Sequence, residues 1–437
     1  MRALLALLLL LPLALGGCRR EEAPLLPAGS PVEIVVATDL HYIPPELVNG
    51  SSLFAKILHS SDGKQMDYID EIVDAFLAEV VERKPDALVL SGDISYNGER
   101  VSHERLAEKL AAVRAAGVPV FVIPGNHDIE NPNAYRFEGD RQEHADSVTA
   151  KEFADIYADC GYGMAVSRDR ASLSYAVPLS GDLRLILLDT ASYEDNAKRD
   201  SPDSRGVLRN STLRWLKGQL KKAQEDGAAP VVVSHHNLLP HSPLFVEDYV
   251  VEKSDKLLEL YRQYGVKLHL SGHMHIQSIA SGDGVWDIAG SSLAVSPEQY
   301  GVIQFRPGQE IAYHTQATDV ARWAKTQGRT EEELLDFAAY SRDFFWKSSY
   351  RREYWNVLAL DLTVEEKKRV SELFSDANVA YFAGRIDEVR ERLFVSEGYR
   401  IWTERGLGEG WDYIGSMLEA PGGNTSLRIP MEQQNHI

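Results

Sequence analysis

Cysteine is nearly absent: only Cys18 and Cys160 occur in 437 residues, too few for a thiolate metal site. Positive charge is also short. Lys and Arg number 46 against 65 Asp and Glu, a formal net charge of −19, which argues against the basic footprint that a nucleic acid polymer requires. If such a chain handles phosphate, cations other than its own must supply the positive charge. Low-complexity tracts and internal repeats are missing too, so solenoids and arrays are excluded. What remains is ordinary globular material, 44% apolar and 25% charged, long enough for two or three domains.

The N-terminus reads as an export signal. Arg2 precedes an apolar run from Ala3 to Leu15 that is short for a bilayer span, and small residues follow. Leu15-Gly16-Gly17-Cys18 looks like a bacterial lipobox. That likeness implies removal of residues 1–17, lipidation of Cys18 and an extracytoplasmic, membrane-anchored place in the bacterial cell envelope. Cys160 would then be the one remaining free thiol, leaving no internal disulfide. Residues 18–30, with Pro, Ala and Gly from Glu21 onward, are expected to be an unfolded tether.

From Val32 onward, short β-branched runs alternate with amphipathic stretches, and each run stops in polar residues. Val32–Ala37 leads into Asp39-Leu40-His41, where an alternating backbone would send both polar side chains to one side. Tyr42 to Lys64 has two prolines and no firm pattern, so a loop is expected. Apolar residues spaced by three and four from Ile69 to Val81 predict a helix, and Ala87–Leu90 then stops at Gly92-Asp93. A helix over about 102–116 precedes Val120–Ile123, which ends in Gly125-Asn126-His127-Asp128. A further helix is expected over 150–157. Leu183–Leu188 runs into Asp189-Thr190. A helix capped by Asn210 or Ser211 precedes Pro230–Val233 and His235-His236, and a helix opened by Ser254 precedes Val266–Leu270 and Gly272-His273-Met274-His275. In parallel α/β sheets a ligand lies beyond the carboxyl ends of the strands, where all these polar residues fall.

The ordered set Asp39-x-His41, Gly92-Asp93, Gly125-Asn126-His127-Asp128, His235 and Gly272-His273-x-His275 resembles the calcineurin-like metallophosphoesterases. The resemblance covers residues 32 to about 290 and implies a four-layer α/β/β/α sandwich. It also implies two divalent transition ions, one held by Asp39, His41 and His275, the other by Asn126, His235 and His273, with Asp93 between them. Mixed oxygen and imidazole ligands without sulfur suit Mn, Fe, Zn or Co. On this reading a hydroxide bridging the two ions attacks phosphorus, His127 serves the leaving oxygen and Asp128 orients His127. His235 is the ligand of its adjacent pair, with His236 behind it or touching substrate. Gly92-Asp93-Ile94-Ser95-Tyr96 also matches the purple acid phosphatase pattern, whose Tyr ligates iron. That branch has Gly at the position of His41, so Tyr96 is expected near the substrate rather than on a metal.

Ser91 to Arg100, followed by Ser102-His103-Glu104, looks like the bacterial cyclic-nucleotide phosphodiesterase branch. From about Ala317 the pattern turns helical, with capping-box sequences at Thr330 to Glu333 and Thr363 to Glu366. Trp323, Trp346, Trp355, Trp402 and Trp411 all lie in this part, for core packing or for base stacking. The expectation is a metallophosphoesterase domain over 31–316 with a smaller all-helical domain over 317–437. The enzyme would cleave a small-molecule phosphodiester, a cyclic nucleotide first. A phosphomonoesterase, a nucleotide-lipid pyrophosphohydrolase and a ligand-binding lipoprotein with a dead site are the alternatives.

Overall fold

A computed structural model describes residues 24–59, 63–407 and 412–431. The export signal, Cys18 and Trp411 lie outside the described residues. Two sheets carry the chain. The first, of six strands, runs in the order Ser426–Pro430, Glu310–Ala317, Gln299–Arg306, Val32–Ala37, Ala87–Ser91 and Val120–Ile123. The second, of seven, runs Ser278–Gly282, Val285–Ala289, Leu268–Ser271, Ala229–Ser234, Leu183–Leu188, Tyr175–Ser180 and Ser167–Arg168. Within each sheet the strands that deliver polar residues are parallel. Their carboxyl ends therefore share one edge.

Alternation along single strands shows how the layers stack. Leu185 and Leu187 pack in one core with Ile34, Leu88 and Val122 of the first sheet. Ile186 and Leu188 pack in another with Leu216 and Leu220 of the helix Asn210–Asp226 and with Leu257 and Tyr261 of the helix Ser254–Tyr264. Both faces of such a strand are buried, which is why its sequence from Leu185 to Leu188 is a continuous apolar run. The helix Ile69–Arg83 buries Ile72, Val73, Phe76 and Val80 in the core it shares with the first sheet. The arrangement is the expected α/β/β/α sandwich followed by a helical region.

Several local expectations change. Tyr42 to Lys64 contains the helices Pro45–Val48 and Ser52–His59, the latter burying Phe54 and Leu58, a helical spacing that the two prolines obscured. The tether is not loose throughout. Leu25 and Leu26 donate backbone hydrogen bonds to Pro178 and Leu179, because Ser167–Arg168 pairs only with residues 175 and 176 and leaves this end of the strand Tyr175–Ser180 open. Neither Asn210 nor Ser211 caps its helix; Arg209 occupies that position without a side-chain bond. Thr363 and Glu366 form their capping box, whereas Thr330 does not cap, and the short helix Glu332–Leu335 starts behind Glu331. After the helical region the chain returns as the strand Ser426–Pro430, antiparallel to Glu310–Ala317.

Candidate metal centre

Every polar residue of the five strand ends reaches the same edge, but not by strand alternation. Asp39, His41, Asp93, His273 and His275 all have positive φ, between 45° and 68°. Left-handed backbone is unfavourable for side-chain-bearing residues and persists where the surroundings enforce it. Here the enforcement is visible: Asp39 N donates to Gly92 O at 3.0 Å, His41 N to Asp93 O at 2.9 Å, and Ser292 Oγ to Asp39 O at 2.7 Å. Three glycines permit the approach. A Cβ on Gly125 would overlap Asp93, one on Gly92 would overlap the His235 ring, and one on Gly272 would overlap Thr38 and Asp39.

The side chains close into three overlapping groups of donors, each within 4.8 Å: Asp39 with His41 and His275, His41 with Asp93 and His127, and Asp93 with His235 and His273. His41 Nε2 faces His275 Nε2 at 3.1 Å, and His275 Nε2 lies 3.2 Å from Asp39 Oδ1. His235 Nε2 lies 3.2 Å from Asn126 Oδ1 and 3.3 Å from Asp93 Oδ2. Asp39 Oδ2 accepts from Thr38 Oγ1 at 2.7 Å and His273 N at 2.9 Å, while its Oδ1 is buried and, among the described residues, has only the imidazole nitrogen of His275 within hydrogen-bond reach. A buried carboxylate oxygen left so, beside imidazole nitrogens turned toward one another, fits a cation. His235 supports this further: its Nδ1–H donates to Ser91 O at 3.0 Å, which fixes the tautomer and leaves the Nε2 lone pair for a metal. The donor set of carboxylates, imidazoles and one amide thus fits a pair of divalent ions sharing Asp93.

The electrostatics agree. Burial alone would raise the Asp39 and Asp93 carboxyls, yet both are held low, Asp39 by His275 and Asp93 by His235 and His127. Burial opposes charge on His235, but the Asp93 and Asp39 carboxylates outweigh it and push the imidazole up to about 9. Burial takes His273 down to about 3 and His41 well below the usual histidine value. The cluster carries negative charge that its own histidines offset only in part.

One assignment needs correcting and two are narrowed. Asp128 does not orient His127. His127 Nδ1 donates to Asn97 Oδ1 at 2.8 Å and Tyr96 O at 3.0 Å. Asp128, fully buried, accepts from Ser95 N, Ser95 Oγ and Gly125 N, tying the loop after Ser91 to the turn after Ile123. Burial and Asp93 push its carboxyl up to about 7. His236 is not placed to touch substrate. It is fully buried, its Nδ1 accepts from Thr190 Oγ1 at 2.8 Å and its Nε2 donates to Ser204 O at 3.0 Å. His236 thus lies behind its neighbour, with its ring centroid 4.5 Å from that of His273. Tyr96 meets the site through its carbonyl, which accepts from His127 Nδ1, and its ring packs edge-on to Phe54 at 5.8 Å. Asn97 was missed, and nothing in the sequence distinguishes it from any other loop amide.

Buried carboxylates, imidazoles and an amide, converging at the carboxyl ends of strands from two stacked sheets, define a metal-dependent hydrolase. The chain belongs to the calcineurin-like phosphoesterases, whose family model matches residues 32–277, and residues 319–421 match the C-terminal domain of cyclic nucleotide phosphodiesterase. The chain is 27% identical over 223 residues to a glycerophosphodiester phosphodiesterase of Enterobacter lignolyticus, covering 49% of this chain and 66% of that protein. It is also 27% identical over 217 residues to a probable cyclic nucleotide phosphodiesterase of Synechococcus, covering 49% and 68%. A dimetal phosphatase from Danio rerio shares the fold at a TM-score of 0.50 and 14% identity, over 66% of this chain and 97% of its own.

Proposed function

We propose that this protein hydrolyses a phosphodiester bond in a cyclic nucleotide. The observation that carries the reading is the position of Asp93 in two donor groups at once, beside a helical region matching the C-terminal domain of cyclic nucleotide phosphodiesterase. Asp39, His41 and His275 would hold one ion, Asn126, His235 and His273 the other, and Asp93 both; Mn, Fe, Zn and Co all suit these ligands. When bound, two such ions lower the pKa of water and neutralise phosphate charge.

The remaining work falls to the chain itself. His127 N donates to Asp93 Oδ1 at 2.8 Å and fixes that carboxylate. With Nδ1–H committed to Asn97 and Tyr96, Nε2 is the nitrogen left for the site; burial lowers the ring's pKa and the Asp93 carboxylate opposes that, and the imidazolium form would pass its Nε2 proton to the leaving oxygen. Ser91 O and Thr38 Oγ1 hold His235 and Asp39 in place. No side chain here need form a covalent intermediate. Export and lipidation at Cys18 would put this chemistry on the outer side of a bacterial membrane.

Metal analysis and a substrate panel test the reading. Two transition ions per chain are expected, with hydrolysis of 2′,3′- or 3′,5′-cyclic nucleotides faster than of p-nitrophenyl phosphate, and Asp93→Asn should abolish it. The named glycerophosphodiester phosphodiesterases make glycerophosphodiesters the second arm of the panel. A preference for the monoester, or full activity without the Asp93 carboxylate, would overturn the proposal.

A further inference from the structure

A cavity of about 690 Å³ opens on the metal-ligand edge, within the size range of small-molecule sites. His273 and His275 form one end of it, and the helical region forms most of the rest. Its construction follows from alternation in the loop after Ser271. His273 and His275 turn to the donor cluster, while Met274 and Ile276 pack with Leu373, Phe374 and Ala377 of the helix Val364–Phe382. The helical region is fastened there by Gln277 N donating to Phe382 O at 3.0 Å and Gln277 Nε2 donating to Asn424 O at 2.8 Å.

Much of the lining is aromatic. Tyr249 comes from the loop after Asn237, its ring centroid 5.0 Å from that of His273, and Phe374, Tyr381, Trp402 and Tyr413 come from the helical region. At the side supplied by the helix Phe337–Asn356 the lining turns polar. Asn356 Nδ2 donates to Glu353 Oε2 at 3.1 Å, and the Arg352 guanidinium lies 5.5 Å from the centre of the Phe374 ring. Glu353 is buried and its carboxyl is raised by that burial. The bond between this amide and carboxyl leaves further donor and acceptor positions on both, which a hydrocarbon tail could not use. A flat ring with donors and acceptors on its edge satisfies both kinds of lining: its faces meet aromatic rings, and its edge meets an amide and a carboxyl group.

We propose that this cavity is a nucleobase subsite, in which Tyr249, Tyr381, Trp402 and Tyr413 bracket the base and Asn356 with Glu353 reads its edge while the phosphate lies at the His273 and His275 end. The proposal rests on the phosphodiesterase reading of the metal centre and deepens it. The C-terminal region is then the specificity wall of the active site, and the ions bind only the phosphate.

The test separates the two readings by using a ligand without phosphate. Adenosine, guanosine, cytidine and uridine are titrated calorimetrically into the full, metal-loaded protein and into Asn356→Ala and Trp402→Leu. Asn356 is exposed on its helix, so its replacement should fold even if that of Trp402 does not. At least one nucleoside should bind the wild type, and the variants should bind it tenfold or more weakly, as expected for loss of one stacking or edge contact. The same variants should raise KM for the cyclic nucleotide about tenfold with kcat within about threefold. Failure of every nucleoside to bind, or equal binding by the variants, overturns the subsite, as does tighter binding of a long-chain glycerophosphodiester than of any nucleoside. Nucleoside binding through these residues in a protein that leaves cyclic nucleotides intact supports the subsite and overturns the hydrolytic reading instead.

Discussion

Glu298 offers a quantitative test of how the helical region is joined to the sandwich. Its side chain is fully buried and accepts a short hydrogen bond from Ser341 Oγ of the helix Phe337–Asn356. Among the described residues no cation offsets the burial, which pushes the carboxyl from 4.5 up to about 8. The sign follows from proton linkage. Between those two values the folded state binds the proton that the unfolded state has released, so stability falls as pH rises through this window and levels off above it. Each pH step inside the window is worth about 1.4 kcal/mol, and the contribution lost between pH 5.5 and 8.5 is about 3 kcal/mol. Glu298→Gln keeps a carbonyl acceptor for Ser341 and cannot titrate. Denaturant midpoints for both proteins at pH 5.5, 7 and 8.5 should diverge, the wild type losing about 3 kcal/mol relative to the variant over that range. Other buried groups titrate in both proteins and cancel in the difference. A difference that stays flat across pH, or one that favours the wild type at alkaline pH, would refute the argument.

Asn97→Ala removes an acceptor that orients His127 but no metal donor, so kcat should fall roughly tenfold to a hundredfold with both ions still present by elemental analysis. Gly125→Ala puts a methyl group into Asp93; metal content and activity should fall together in a protein that still melts cooperatively. Thr363→Ala breaks a complete capping box and should lower stability by about 1 kcal/mol in a denaturant titration, with no change in KM. Cys18→Ser should shift the protein from the membrane to the soluble fraction of its host, and an unchanged distribution would exclude the lipid anchor.

Much of this architecture could be read because buried parallel strands and packed helices leave strong periodic signals. Val120–Ile123 and Leu185–Leu188 are apolar throughout because both faces are covered, and each stops at polar residues. The donor set was legible for the same reason, since His, Asp and Asn at successive strand ends have few structural explanations. What could not be read depends on contacts between distant residues. Asp128 follows His127 in sequence, yet its partners are Ser95 and Gly125. Asn97 reaches His127 across 30 residues. Leu26 beside Ser180 and the strand Ser426–Pro430 beside Glu310–Ala317 are edge additions, specified by the open edge rather than by the segment that joins it.

The histidine positions show how residues can be brought together by a route the strand pattern does not describe. Alternation along an extended strand would bring Asp39 and His41 to one side, and both do arrive at one site. They do so beyond the strand, in left-handed backbone held by Gly92, Asp93 and Ser292. A loop built this way is costly to form unless its neighbours are already in place. Asp39 and His41 are thus organised by the loop that carries Asp93, and His273 and His275, also left-handed, are braced by helices packed on Met274 and Ile276. The helical region accordingly has two physical roles from one set of contacts. It steadies the loop holding two of the imidazoles, and in packing there it encloses the cavity that opens beside them.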